Sequence, residues 1–508
     1  MGETKKVQGH IFEDLLQTQA RIHSGPSPVT SWHPCIFAAG GLTQANHRSL
    51  PREVRDRGGA GTRRMSDTIK TCLRNAAIGV PLLFQSILFN VMFYCDSFLL
   101  GFVGEHEVSA VSAGSQVIWL YEALITCPAY VCGTIVGRLE GAGRRSEIRT
   151  AISRCFAFTG ALVLIAGSGL FITSQTVSFA MIHNPDAADM MTTYVRWATV
   201  AFAISTLGTV AEYALQNMRE QRKVLSIYIC EFAIKLSASV FFLFCMHLGI
   251  FAIISGMLLS KVARVVMLLF TLFRKMRGLA SARGHAYEYS WKSYTKQCVP
   301  LGLSVLLWNI STIIISSSFG RLDISAYTAY ALLNNAVYII LIPTEAYTKS
   351  LAVLVARLIG ASSGLSPEYV HSRLQVMRSA NVMIGVLSVC ISYIYISVIP
   401  LMQPGISTRV WSQVHVIVLP FLGYIACKSI TDSITEGFLR PVLDNAFLFL
   451  VEFLALPCTI VVFYVLSISL LDGFWYLFGL ELFRMLLVCA REAVWVRKGL
   501  PNATKDDG

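Results

Sequence analysis

From residue 78 onward the chain alternates long apolar runs with short polar connections, and the length of the runs decides what they are. A helix needs about 20 mainly apolar residues to cross the hydrocarbon core of a bilayer. Runs of that length predict twelve spans, at 78–100, 111–136, 151–172, 195–218, 224–246, 249–273, 300–319, 326–354, 381–401, 410–437, 442–468 and 475–495. Residues 1–64 stay outside this pattern, with no long apolar run and with Arg48, Arg52, Arg55, Arg57, Arg63 and Arg64 towards their end. Such a stretch predicts a disordered basic leader. Its Arg-rich, acid-poor character also suits an organelle transit peptide, and organised sequence begins at Met65.

The longest internal connection, 274–297, divides the spans six and six. It predicts an N-terminal lobe over 65–273, a C-terminal lobe over 298–496 and a short tail over 497–508. The two halves align without a gap at a shift of 219 residues, the difference between Arg138 and Arg357. At that shift Val80, Pro81 and Leu82 fall on Val299, Pro300 and Leu301, Asn90 on Asn309, and Gly101 on Gly320. The loop residues Arg138, Leu139, Gly141 and Ala142 fall on Arg357, Leu358, Gly360 and Ala361. Apolar matches between membrane helices arise by chance, but a Pro, an Asn, two Gly and an Arg in register point to duplication. Six spans per half bring both halves into the membrane in the same direction, so the pseudo-two-fold axis is expected along the membrane normal.

Charge refines this picture. Only 14% of the 508 residues are charged and the mean hydropathy is +0.58, against about 25% charged in a soluble domain. The net charge of +12 could suggest a nucleic-acid partner. The basic residues instead gather in alternate connections, at Arg138 to Arg149, Arg219 to Lys223, Arg274 to Lys296, Arg357 to Arg378, and Arg440. That side, with both termini, is expected to be cytoplasmic. The thirteen cysteines form no CxxC pair and mostly sit in apolar runs, as small core residues do.

Residues 80–120, VPLLFQSILFNVMFYCDSFLLGFVGEHEVSAVSAGSQVIWL, resemble the first two helices of the multidrug and toxic compound extrusion family, through Pro81, Asp96, Gly101, Gly104, Ala110 and Ala113. The loop RLEGAGRRSEI at 138–148, repeated as RLIGASSG after span eight, resembles the family's glycine-rich connection. The resemblance extends more loosely over 65–499. It implies an all-α membrane protein with two six-helix lobes, not an enzyme, that moves small molecules and takes part of its drive from protons or sodium.

An ionisable group inside the hydrocarbon costs several kcal/mol unless it faces a cavity or a partner, so each is a functional candidate. Asp96 matches the family's helix-one Asp, which the resemblance implicates in ion coupling; otherwise it is a group solvated at the interface. Asn90 and Asn309 could share a polar cavity or make packing hydrogen bonds. Glu231 and Lys235 stand i,i+4 on span five, where pairing is within reach. A fixed ammonium there could occupy the place of a bound cation, which weighs against sodium. Glu122 and Glu212 have no basic neighbour at helical spacing. In the second lobe Glu345 and Lys349 form an i,i+4 couple, and Lys428, Asp432 and Glu436 form a row on span ten. Span seven carries no acid, and Ile315 takes the place of Asp96 in the repeat. Lys261 and Arg264 on span six, and Glu481 with Arg484 on span twelve, complete the set.

These residues point to a secondary transporter, an antiporter coupled to protons or less readily to sodium, exporting amphipathic, cationic compounds by alternating access. It would need no cofactor beyond the coupling ion, and lipid and the small-molecule cargo as partners. It would work as a monomer, in the plasma membrane rather than an organelle. A flippase for a lipid-linked saccharide or other amphipathic anion is the nearest alternative, suited by Lys235, Lys261, Lys349 and Lys428. A non-transporting receptor or scaffold is the alternative of another class, and it predicts no polar cavity between the halves.

Overall fold

The computed structural model describes residues 79–498 apart from 93–94, 97, 101, 103, 183–184, 278–290, 320–321, 323, 363–364, 403–406 and 466–468. The expected leader and most of the expected tail lie outside the described residues. The first lobe consists of α1 (Gly79–Met92, helical again at 95–96 and 98–100), α2 (Glu105–Gly141), α3 (Arg145–Met181), α4 (Pro185–Asn217), α5 (Gln221–Phe244) and α6 (Ile250–Arg277). The second consists of α7 (Trp291–Phe319), α8 (Ile324–Ile340), α9 (Ile342–Ala361), α10 (Pro367–Met402), α11 (Thr408–Ile434), α12 (Asn445–Ile460) and α13 (Leu470–Lys498). Ten of the described helices are long and apolar enough to cross a membrane, the α8–α9 pair makes an eleventh when taken as one span, and Gly79–Met92 is a shorter apolar helix.

Span eight is not the single straight helix expected over 326–354. It bends by 40° between α8 and α9. The break falls at Leu341, two residues before Pro343, whose ring cannot follow a regular turn and whose missing N–H leaves a carbonyl unpaired. Span ten runs further than 437. A π turn at Thr435–Leu439 carries α11 into Arg440–Val442, and this wider turn precedes Pro441, where a regular α-helix would meet a steric clash. Leu443 at φ 64° then ends the helix in the left-handed region.

Apolar cores form in both lobes, and that of the first takes in Tyr294, Cys298 and Leu301 of α7. Ile135, Ile152, Val210 and Leu268 bury together in the first lobe, and Leu333, Ile417, Phe421 and Phe474 in the second. Outward faces are apolar too, with Leu164, Ile165 and Ile172 on α3 and Val382, Met383 and Val386 on α10 all exposed. Lipid is the solvent those faces require, because in hydrocarbon the helical backbone satisfies its own polar groups. The chain is an integral, multi-pass membrane protein.

The lobes meet where the repeat predicts equivalence. A Cβ on Gly141 would lie 2.3 Å from the Arg357 carbonyl oxygen, and one on Gly360 would lie 1.9 Å from the Arg138 carbonyl oxygen. The two arginines reciprocate. Arg138 donates to the Pro441 carbonyl at 2.7 and 3.2 Å, and Arg357 donates to the Asn217 carbonyl at 2.5 and 3.2 Å. Each therefore crosses from its own lobe to the end of the opposite lobe's fourth span. This is the pseudo-two-fold made visible at the basic end, and it closes the lobes against each other there. Glu220 braces the same end, accepting from Lys275 at 2.6 Å and facing Lys223 at 3.0 Å. Partial burial raises the pKa of that carboxyl, but the two ammonium groups outweigh it and hold it below the usual range.

Candidate functional site: a cavity between the lobes

Above that closure the lobes part around a cavity of about 640 Å³. Its first-lobe wall is the face of α2 carrying Trp119, Glu122, Thr126 and Tyr130, joined by Asn90 of α1 and Arg264 of α6. The spacing of three and four residues puts these α2 side chains on one stripe. Its second-lobe wall is drawn from α7, α8, α9, α11 and α13, including Trp308, Tyr338 and Tyr424. Trp119 and Tyr338 meet edge to face across the gap, with ring centroids 5.6 Å apart. Asn90 and Asn309 both line the cavity, and each donates to the carbonyl one turn back, Ser86 at 2.9 Å and Val305 at 2.8 Å. The repeat thus extends to their hydrogen bonds.

Asp96 does not line this cavity. Its carboxylate accepts from Lys235 Nζ at 2.6 Å within the first lobe, where both side chains are largely buried. The Glu231–Lys235 couple expected along α5 is therefore divided between neighbours. Lys235 turns to α1, and Glu231, fully buried, turns to α6, with Lys261 Nζ at 2.8 Å and Arg264 Nε at 3.5 Å. The same Arg264 pairs with Glu212 on α4, whose carboxylate also accepts from Tyr228 Oη at 3.1 Å and Gln216 Nε2 at 2.9 Å. Glu212 thus has a basic partner that its own helix did not reveal. The result is two sets of charged contacts, Asp96 with Lys235, and Lys261, Glu231, Arg264 and Glu212 leading to the cavity wall, set side by side because Lys235 and Glu231 stand four residues apart on α5.

In the second lobe the couples follow their helices. Glu345 and Lys349 pair at 2.5 Å, and Lys428 and Asp432 at 3.2 Å. Glu436 leaves the expected row for Arg440 at 3.0 Å, one turn further on. Two cations lie over the Trp308 ring, Lys428 Nζ 4.5 Å and Arg484 Cζ 4.6 Å from its centroid. Such contacts hold a cation where water is scarce. Arg484 contacts Glu481 at 3.3 Å and Glu452 of α12 at 2.5 Å. Glu452 was absent from the sequence-based candidates, although as an acid deep within the run 442–468 it carried the same signal as the others. Among the described residues no three His, Cys, Asp or Glu side chains converge as a metal site would need.

This arrangement can be set beside known proteins. The family model MatE matches residues 81–241, the first lobe through most of α5. No curated protein sequence matches the chain. Among solved structures, a point mutant of the Vibrio cholerae MATE transporter VcmN superposes with a TM-score of 0.75 at 13% identity, over 85% of this chain and 99% of that one. This is a MatE-domain chain with the MATE transporter fold. The eukaryotic MATE transporter AtDTX14 matches at a TM-score of 0.72, also at 13% identity, over 85% of this chain and 99% of its own. A MOP-superfamily transporter from Pyrococcus furiosus, described as having a binding pocket of reversed polarity, matches at 0.64 and 11% identity, over 83% and 95%. The MATE fold accounts for the two lobes and the cavity between them.

Proposed function

We propose that this MATE-fold chain is a proton-coupled antiporter that exports amphipathic organic cations by alternating access, from the plasma membrane, with both termini in the cytoplasm. The observation that carries the reading is the Asp96–Lys235 pair, set one turn along α5 from the Glu231–Arg264–Glu212 ladder that reaches the cavity. A proton on Asp96 removes the countercharge of Lys235. Lys235 then has one near carboxylate, Glu231, four residues back on α5 and on the same face. Glu231 cannot hold Lys235, Lys261 and Arg264 equally, so the contacts at the cavity wall rearrange. A ligand shifts a two-state equilibrium only through unequal affinity for the two states, and a proton that breaks one arrangement of pairs has that property. The Lys235 ammonium, 2.6 Å from Asp96, stands where a bound sodium would sit, which favours the proton.

An anionic cargo is less well served. Lys349 and Lys428 line the cavity, but each already faces a carboxylate, and Lys235 and Lys261 lie behind its wall.

The ladder is tested with Asp96→Asn and with the double variant Asp96→Asn, Lys235→Met, in proteoliposomes under an imposed pH gradient. The single variant leaves an unpaired buried ammonium, so it is expected to lose both coupling and thermal stability. The double variant removes both charges and is expected to recover stability while export stays at the level of empty vesicles. Gradient-driven export by the double variant would show that Asp96 has only a structural role.

A further inference from the structure

Six carboxylates line the central cavity: Glu122, Glu212, Glu345, Asp432, Glu436 and Glu481. Arg264, Lys349, Lys428, Arg440 and Arg484 pair with the last five. Among the described residues Glu122 has no ion-pair or side-chain hydrogen-bond partner, although it faces the same space. Deeper in the first lobe, Asp96, Glu212 and Glu231 pair with Lys235, Lys261 and Arg264, and Glu122 pairs with none of them. A carboxylate at membrane depth, half-buried between the lobes, calls for a counter-charge.

Its surroundings describe what that charge would be carried on. Trp119 lies one turn from Glu122 on the same face of α2, and Tyr338 reaches Trp119 from the second lobe at 5.6 Å. A carboxylate one turn from an aromatic pair, in the same cavity, is the chemistry that suits an organic cation with an aromatic or apolar body. The charged groups within electrostatic reach of Glu122 are Lys261 and Arg264 of α6, Glu231 of α5 and Glu212 of α4. Both bases are engaged with Glu231 at present.

We infer that Glu122 reads the positive charge of the cargo: an organic cation docks on it against the Trp119–Tyr338 pair, and Lys261 with Arg264 displaces that cation once Lys235 claims Glu231. The inference rests on the antiport reading for its displacement step and names the residue at which cargo and coupling meet. Glu122 is the specificity residue, and the ladder behind it is the device that empties the site.

Tetraphenylphosphonium and tetraphenylborate have nearly the same shape and opposite charge, so they separate charge recognition from packing. Their binding to the full chain in nanodiscs is measured by calorimetry for the wild type, Glu122→Gln and Glu122→Asp. The wild type is expected to prefer the cation. Glu122→Gln is expected to weaken cation binding by about tenfold or more, as losing one partner of a desolvated charge pair does. It should leave borate binding equal or tighter, and Glu122→Asp should keep the preference for the cation. A packing role would weaken both probes together. Equal loss of both, an intact preference in Glu122→Gln, or no preference in the wild type would overturn the inference. Wild-type chain that binds the cation selectively but exports none under a pH gradient would overturn the antiport reading instead, while the charge dependence of Glu122→Gln would still support the site.

Discussion

Alanine at Gly360 is expected to hold the lobes apart at their basic end and to stop the transport cycle. The added Cβ would lie 1.9 Å from the Arg138 carbonyl oxygen, 2.7 Å from its carbonyl carbon and 3.0 Å from the Ala142 nitrogen. All three are backbone atoms, so no rotamer change relieves the clash. Gly141→Ala meets the Arg357 carbonyl oxygen at 2.3 Å and is its counterpart across the pseudo-two-fold. Overpacking of this kind costs about 1–3 kcal/mol. Because it acts only on the closed arrangement, it moves the ratio of closed to open molecules by about tenfold or more. Cys127 lines the cavity and reports the change. With every other cysteine replaced by serine, its labelling by an impermeant maleimide from the basic side should accelerate in Gly360→Ala while export falls. Unchanged labelling together with full export would show that the loops do not form a seal the cycle must make and break.

Loss of Glu231 is expected to cost more stability than any other single charge removal in the first lobe. Its side chain is fully buried and is shared by Lys261 at 2.8 Å and Arg264 at 3.5 Å. Removing one partner of a buried pair costs about 3–5 kcal/mol, because the remaining charge stays out of water. Here two charges lose a partner, although Arg264 keeps Glu212. Glu231→Leu should therefore lower the melting temperature of the detergent-solubilised chain substantially, and the double variant Glu231→Leu, Lys261→Leu should recover much of it. Glu140→Gln is the control, since the Arg145 it leaves behind is exposed and returns to water, so that losing the pair costs about 0–1 kcal/mol. Comparable losses in Glu231→Leu and Glu140→Gln would contradict the buried ladder.

The spans and the duplication were legible in the sequence because both depend on what one strand of text records, the length of apolar runs and residue identity at a fixed shift. The loops Arg138 to Ala142 and Arg357 to Ala361 were matched in register, and they prove to be a place where the lobes touch backbone to backbone. Partner choice was less legible. An i,i+4 spacing describes one helix surface, so it anticipated Glu345 with Lys349 and Lys428 with Asp432. It could not show that Lys235 and Glu231 look to different neighbouring helices, or that Glu212 and Arg264, 52 residues apart, would meet. The bend at Leu341 did have a local signal in Pro343, as did the π turn before Pro441. The place of Asp96 behind the cavity wall, and of Glu122 in front of it, depends on how α1, α2, α5 and α6 pack, which no local pattern records.

The most direct test of the account is efflux from proteoliposomes holding the full wild-type chain, loaded with tetraphenylphosphonium and given a pH gradient in the absence of sodium. Export that follows the direction and size of the pH gradient, and does not arise from a sodium gradient alone, is the predicted result. Export driven by sodium at equal pH, or no export under either gradient, would contradict it.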